Sequence, residues 1–199
     1  IELQQPDDTE LYVTTNALVY CAKAVAYANL GRDDEARNFM ERFSAAFANV
    51  PDSRHLFNNK SRDILELAGE MMRGEVAFKS GDKIKGLDHL RKAVELDDNL
   101  NYEEPWSWPL PTRHALGALL LEVGEYVEAE AIYRADLGLD GKLPRPSQHP
   151  KNVWALHGLH ECLKIKKDSV ELPHVTLLLD QAVARADIKI SSSCLCRGE

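Results

Sequence analysis

The feature that most constrains this chain is a pair of helical segments broken by a single glycine, because the pair recurs. In NALVYCAKAVAYANLGRDDEARNFMERFSAAF, apolar residues follow helical spacing on both sides of Gly31. A glycine at such a break suits the left-handed end of a first helix, and Asp33 and Asp34 place negative charge at the start of a second. The same pattern returns around Gly81 and Gly124. Three copies predict a chain built from repeated helical hairpins.

A fourth copy begins at NVWALHGLHECLKI and continues as LPHVTLLLDQAVARAD, without a turn glycine. A final repeat that departs from the pattern is typical of the capping unit at the end of a repeat array. The four predicted hairpins cover residues 14–50, 61–98, 111–138 and 151–187. They form one repeat domain over residues 11–187, between a lead-in over residues 1–10 and a tail over residues 188–199 that contains a Cys-x-Cys pair.

The third copy, ALGALLLEVGEYVEAEAIYRADL, resembles a tetratricopeptide repeat. It has small and aromatic residues at the signature positions Gly117, Gly124, Ala129 and Tyr133, whereas Gly86 replaces the usual alanine in the second copy. The resemblance implies an all-α fold, an α-solenoid of about four tetratricopeptide-like hairpins. The turn glycines lie 50 residues (81 minus 31) and 43 residues (124 minus 81) apart, against about 34 for the plain repeat, so we expect inserted loops or longer second helices.

A wider resemblance covers the chain from about residue 12 onward. The stretches YEEPW, PTRHALGALLLEVGEYVEAEAIYRADLGLD, HPKNVWALHGLHECL and SCLCR together resemble a poorly characterised microbial subfamily of tetratricopeptide-repeat proteins. Longer relatives in that subfamily carry further histidine-bearing repeats upstream, so the resemblance implies that this chain is a C-terminal half. The chain also opens with Ile1 and not Met, and we expect it to be a processed or excised piece.

Two long linkers separate the later hairpins. NLNYEEPWSWPLPTRH and GLDGKLPRPSQHPKNVW hold most of the chain's nine prolines, and the first also holds Trp106 and Trp108. A residue before proline is restricted to extended conformations, so both linkers are expected to be stiff and to pack on the repeats.

The resemblance also predicts a partner-binding groove, because fixed positions of each first helix line the inner surface of a tetratricopeptide array. The residues expected to bind a partner are Met71, Glu75, Phe78, Lys79, His114, Leu121 and Leu159, joined by the linker residues Trp106 and Trp108. This mostly apolar groove fits an extended or helical peptide, and the chain's own linkers are the alternative occupant. Cys21, Val25 and Met72 stand where carboxylate-clamp co-chaperones carry lysine and asparagine, so we do not expect binding to chaperone C-termini.

A second hypothesis concerns the helix VWALHGLHECLK and the tail. His157, His160 and Cys162, completed by Cys194 and Cys196, offer the imidazole and thiolate ligands that zinc or copper prefers. Cys162 lies about 200° around the helix axis from His160, at ~100° per residue, so one helix cannot supply all three ligands. With such a site the chain would be a metal-binding module or part of a metalloenzyme. The alternative is a packed helix that binds no metal and needs no cofactor.

Composition and motifs narrow the function further. A net charge of -8 and a pI near 5.4 argue against nucleic-acid binding, and no apolar run reaches the roughly 18 to 20 residues of a membrane span. Four cysteines without a regular framework fit a reducing, intracellular compartment, and we expect the cytoplasm.

The chain has no glycine-rich phosphate loop, HExxH or GxSxG motif. The sequence therefore favours a non-catalytic scaffold that binds another protein, the missing N-terminal half or a second copy.

Overall fold

The computed structural model describes residues 2–197; Ile1, Gly198 and Glu199, which belong to the expected lead-in and tail, lie outside the described residues. The helices of this part are α1 (Val13–Asn29), α2 (Asp33–Ala48), α3 (Ser61–Lys79), α4 (Lys83–Asp98), α5 (Thr112–Val123), α6 (Tyr126–Leu137), α7 (Val153–Lys166) and α8 (Leu172–Val183). Strands β1 (His55–Leu56) and β2 (Asn59–Lys60) form one short antiparallel pair. The predicted fold class, all-α with tetratricopeptide-like hairpins, is confirmed.

The chain forms two compact units, and each contains two hairpins. Unit 1 ends at Pro109 and unit 2 begins at Leu110. The single repeat domain over residues 11–187 stays a prediction. The segment after α4 packs against unit 1. Within residues 2–197, no helix combines the length and the apolar character needed to cross a membrane.

Backbone geometry at the turns explains where the hairpins bend. Gly31, Gly81 and Gly124 have φ angles of 69°, 99° and 86°, in the left-handed region that glycine enters without steric cost. The last hairpin lacks a turn glycine, and Lys167 takes a φ of 57° there.

The core of unit 1 is made where α1 lies against α3. Ala17, Ala24 and Ala68 are fully buried, and these small side chains let the two helices approach closely. The thiol of Cys21 donates a hydrogen bond of 3.4 Å to the backbone oxygen of Ala68. Phe43 of α2 is buried in the same cluster.

The first linker is fixed to unit 1 through Asn59, which is buried. The Asn59 Oδ1 atom accepts from the backbone nitrogen of Asn101 at 2.7 Å, and its Nδ2 donates to the Asn101 oxygen and to Ser107 Oγ, both at 2.8 Å. Trp108 then packs against the unit 1 core. The linker is therefore part of the first unit.

In unit 2, α6 packs against both α5 and α7, and α7 packs against α8. The ring of Tyr133 is fully buried between two glycines of the neighbouring helices. A Cβ atom added at Gly117 would lie 2.5 Å from the Tyr133 Cζ atom, and one added at Gly158 would lie 2.1 Å from it. The three helices can pack this closely because Gly117 and Gly158 have no side chain.

Candidate functional site

The residues expected to line the inner groove are mostly buried. Met71, Glu75, Phe78, His114, Leu121 and Leu159 are buried, and Lys79 is half-buried. Phe78 packs close to Gly86 of its own hairpin, where an added Cβ would lie 2.8 Å from the Phe78 Cβ. In this conformation these apolar side chains offer little surface to a partner. Of the linker tryptophans, Trp106 is exposed, whereas Trp108 is half-buried and packs against the unit 1 core.

Glu75 is the charged member of the predicted groove, and its environment is unusual. Its side chain is 9% exposed, and it forms no hydrogen bond with another described residue. Burial raises the pKa of Glu75 to about 7, and the nearby ammonium group of Lys79 lowers it only in part. Because burial disfavours the charged carboxylate, ionisation of Glu75 destabilises the folded protein.

This pKa predicts that the replacement Glu75→Gln makes the protein more stable at alkaline pH. The folded state keeps the Glu75 proton up to pH about 7, whereas the unfolded state loses it near 4.5, so wild-type stability falls as pH rises through that window. We expect the variant to gain about 2 to 3 kcal/mol over the wild type between pH 4.5 and 8, at ~1.4 kcal/mol per pKa unit. Urea unfolding at pH 4.5 and 8 measures the change. The exposed Glu66 on the same helix is the control, and an equal gain in Glu66→Gln would contradict the prediction.

An open recess of unit 1 lies elsewhere, between the first two helices. This pocket has a volume of about 680 Å³ and is lined by residues of α1, α2 and the segments flanking them: Thr9, Glu10, Val13, Asn16, Tyr20, Arg42, Ala45, Ala46, Asn49 and Pro51. Binding sites in proteins usually measure about 300 to 1,000 Å³. The pocket is therefore large enough to receive part of another molecule.

Asn16 is the polar group that the fold leaves unsatisfied at this pocket. Its side chain is 3% exposed, and its Oδ1 atom has no hydrogen-bond partner among the described residues. A buried acceptor without a donor costs roughly 1–3 kcal/mol. Tyr20, one turn further along α1, is partly satisfied by a long hydrogen bond of 3.5 Å to Gln5 Oε1.

Arg42 supplies positive charge to the same pocket. Its guanidinium lies 5.5 Å from the ring centroid of Tyr20 and 5.3 Å from that of Phe39, so two aromatic rings hold the cation. Arg42 is exposed and forms no ion pair with another described residue. Glu10 is the acidic residue of the lining. The pocket wall therefore contains an exposed cation and, below its surface, an amide oxygen without a hydrogen-bond donor.

The proposed metal ligands of α7 do not gather around a common point. Among residues 2–197, no group of three or more His, Cys, Asp or Glu could hold a metal ion. Cys162 is buried, and burial raises the pKa of its thiol to about 12, so it stays protonated at neutral pH. Burial also lowers the pKa of His157 and of His160, and the Nδ1 atom of His157 is buried without a hydrogen-bond partner within the described chain.

The two tail cysteines are joined to each other. Cys194 and Cys196 form a disulfide, and the residues beside it are bonded to α6 and α7. Ser193 Oγ shares a hydrogen bond of 2.5 Å with the Tyr133 hydroxyl, and Arg197 Nη1 donates to both carboxylate oxygens of Glu161 at 2.9 and 2.7 Å.

A buried charged cluster joins three segments of unit 2. His114 Nε2 donates to Asp136 Oδ2 at 3.0 Å, and His149 Nδ1 donates to Asp136 Oδ1 at 2.8 Å. The backbone nitrogen of His149 also donates to the Asp136 carbonyl at 2.7 Å. Burial alone would raise the pKa of Asp136, but the hydrogen bonds from His114 and His149 outweigh it and hold that pKa below its usual value. The cluster thus fastens the second linker to α5 and α6, and in it the His114 side chain is hydrogen-bonded to Asp136.

Four residues of these sites do not appear among the sequence candidates: Asn16, Arg42, Asp136 and His149. Asn16 carries a signal that could have found it, because it is polar at a position of the buried stripe of α1. Asp136 is likewise a charged residue among the buried positions of α6. Arg42 and His149 carry no such local signal.

Comparison with known proteins identifies the first hairpin. The family model described as tetratricopeptide repeat matches residues 17–44, from within α1 to within α2. No curated protein and no solved structure matches the chain. Repeats of this type generally mediate protein–protein interactions, through the extended surfaces that stacked helical hairpins create.

Proposed function

We propose that this chain, a tetratricopeptide-repeat protein, is a non-catalytic scaffold that receives a polypeptide segment of a partner in the pocket between α1 and α2. The observation that supports the proposal most directly is the unpartnered Oδ1 atom of Asn16 at that pocket, where no other described residue donates to it. Folding leaves this acceptor buried without a donor, and a main-chain N–H group of the partner would satisfy it once the Asn16 side chain turns toward the pocket.

A polypeptide is the ligand that fits an asparagine best. The side-chain amide offers one acceptor and two donors, and a peptide group offers the matching N–H and C=O. Arg42 adds a cation for an acidic side chain of the partner, and two aromatic rings hold it in place. Apolar groups of Val13 and Ala46 complete the wall. The pocket would therefore hold the main chain through Asn16 and one carboxylate through Arg42.

Photo-crosslinking tests the proposal. A photoreactive amino acid in place of Ala45, which is exposed and lines the pocket, should capture a defined partner in extract of the organism that makes the protein. The variants Asn16→Leu and Arg42→Gln should lose that partner. Asn16→Leu should also make the unbound protein more stable, by about 1 kcal/mol, because the unpartnered acceptor is gone.

Two matched variants serve as controls. Thr14 also has a buried oxygen without a partner among the described residues but does not line the pocket, so Thr14→Val should keep the partner. Arg37 lies on α2 away from the pocket, beside Asp34, and Arg37→Gln should keep the partner as well. If all four variants capture the same proteins equally, the pocket does not bind a partner.

A further inference from the structure

The disulfide of the tail lies in a well-defined setting. Cys194 and Cys196 have Cα atoms 5.2 Å apart, within the usual range for bonded cysteines. The residues on both sides are fixed to the helices, Ser193 through Tyr133 and Arg197 through Glu161. The pair is therefore presented at one defined place on unit 2.

Stability gives little reason for this bond. A disulfide stabilises a protein mainly by restricting the unfolded chain, and the effect grows with the length of the loop that it closes. A loop of about 15 residues contributes about 3 kcal/mol, whereas this bond joins cysteines only 2 positions apart, with Leu195 between them. A bond with so small a contribution to stability points to chemistry.

The two cysteines differ in exposure. Cys196 is 7% exposed, whereas Cys194 is only half-buried, and Leu195 between them is 78% exposed. The backbone nitrogen of Cys196 donates a hydrogen bond to Cys194 Sγ at 3.1 Å. The same N–H group would stabilise Cys194 as a thiolate once the bond is reduced, because hydrogen bonds to a charged form favour that form.

We propose that Cys194 and Cys196 form a redox-active pair that exchanges with small-molecule thiols, with Cys194 as the reacting sulfur and Cys196 as the resolving one. A thiolate of the reductant attacks Cys194 Sγ, the bond between the two cysteines breaks, and Cys196 leaves as a thiolate that takes a proton from water. A second thiolate attacks the reductant's own sulfur in the mixed disulfide and releases Cys194. Two thiols are oxidised to one disulfide, and the protein pair is reduced by two electrons.

The other two cysteines provide internal controls. Cys21 and Cys162 are buried and have free thiols. Burial raises the pKa of each to about 12, so neither carries a thiolate at neutral pH. Exchange in the folded protein should therefore be confined to the tail.

The first experiment equilibrates the whole wild-type chain with mixtures of reduced and oxidised glutathione and counts alkylated cysteines by mass spectrometry. We expect a single transition in which two cysteines, Cys194 and Cys196, gain or lose alkylation together. Cys21 and Cys162 should stay unmodified until the protein is unfolded. If the tail cysteines remain as free thiols in every mixture, or titrate independently of each other, the proposal is overturned.

Single variants identify the reacting sulfur. Reduced Cys196→Ser should form a mixed disulfide with oxidised glutathione about tenfold faster than reduced Cys194→Ser, because only the former keeps the more exposed cysteine. Equal rates, or a faster reaction of Cys194→Ser, would overturn the assignment. Circular dichroism of both variants shows whether they are folded, and the wild-type titration tests the pair independently of either substitution.

Discussion

The variant Gly158→Ala is expected to destabilise the protein by about 4 kcal/mol, because its new methyl group would enter the ring of Tyr133. The added Cβ would lie 2.1 Å from the Tyr133 Cζ atom, far inside van der Waals contact. The ring has little room to move, because Gly117 borders it on the other side and its hydroxyl is bonded to Ser193. Chemical denaturation of the variant and the wild type measures the loss.

A double-mutant cycle shows whether the close contact is the cause. In a Tyr133→Leu background the ring is absent, and Gly158→Ala should then cost less than about 1 kcal/mol. Gly69 offers a matched control, since the nearest atoms to an added Cβ there lie 3.0 Å away, on Phe43 and on the end of the Arg73 side chain. A loss that is the same with and without the tyrosine ring would rule out the steric explanation.

The second large effect is expected at Asp136, which accepts hydrogen bonds from two histidines while only 1% exposed. Asp136→Ala removes the anion that accepts from the buried His114 imidazole and the half-buried His149 imidazole, and we expect a loss of about 3–5 kcal/mol in unfolding free energy. Asp136→Asn should lose less, because its oxygen still accepts one hydrogen bond. Urea unfolding at pH 7 gives both values.

The pH dependence of this loss has a defined sign. The folded pKa of Asp136 lies below the ordinary value of 3.8, so its contribution is fully present above about pH 4 and disappears as pH falls through the folded pKa. The gap between the wild type and Asp136→Asn should therefore narrow in acid. Asp140→Asn, in the segment that follows α6 but outside the cluster, is the control. A gap that widens below pH 4 would contradict the assigned role.

The hairpins could be predicted from the sequence because their signals are local. Helical periodicity and a turn glycine act within one or two turns, and the positive φ angles of Gly31, Gly81 and Gly124 are the geometry that such a break requires. The linkers are different. Asn59 meets Asn101 across 42 residues, and no local pattern of residues marks that pairing.

The candidate sites show the same limit. Asn16 can be recognised in the sequence only when the buried face of α1 is known, because it is a polar residue on that face. The position of Arg42 depends on aromatic rings that face it, and one of these, Tyr20, lies on another helix. The sequence names His114 as a binding residue but does not indicate its hydrogen-bond partner, since Asp136 comes from the next helix and His149 from a linker. Such a cluster is created by tertiary packing, and spacing along the chain does not reveal it.

The docking of the first linker changes where the first unit can be separated from the rest. The last helix of unit 1 ends at Asp98. Beyond it, Asn101 is hydrogen-bonded to Asn59, and Trp108 packs against the core of the unit. A polypeptide cut at Asp98 would leave Asn59 without its hydrogen bonds to Asn101 and Ser107, and would lose Trp108, which packs against the core. A fusion protein or chimera that is to keep unit 1 intact therefore needs its junction at Pro109.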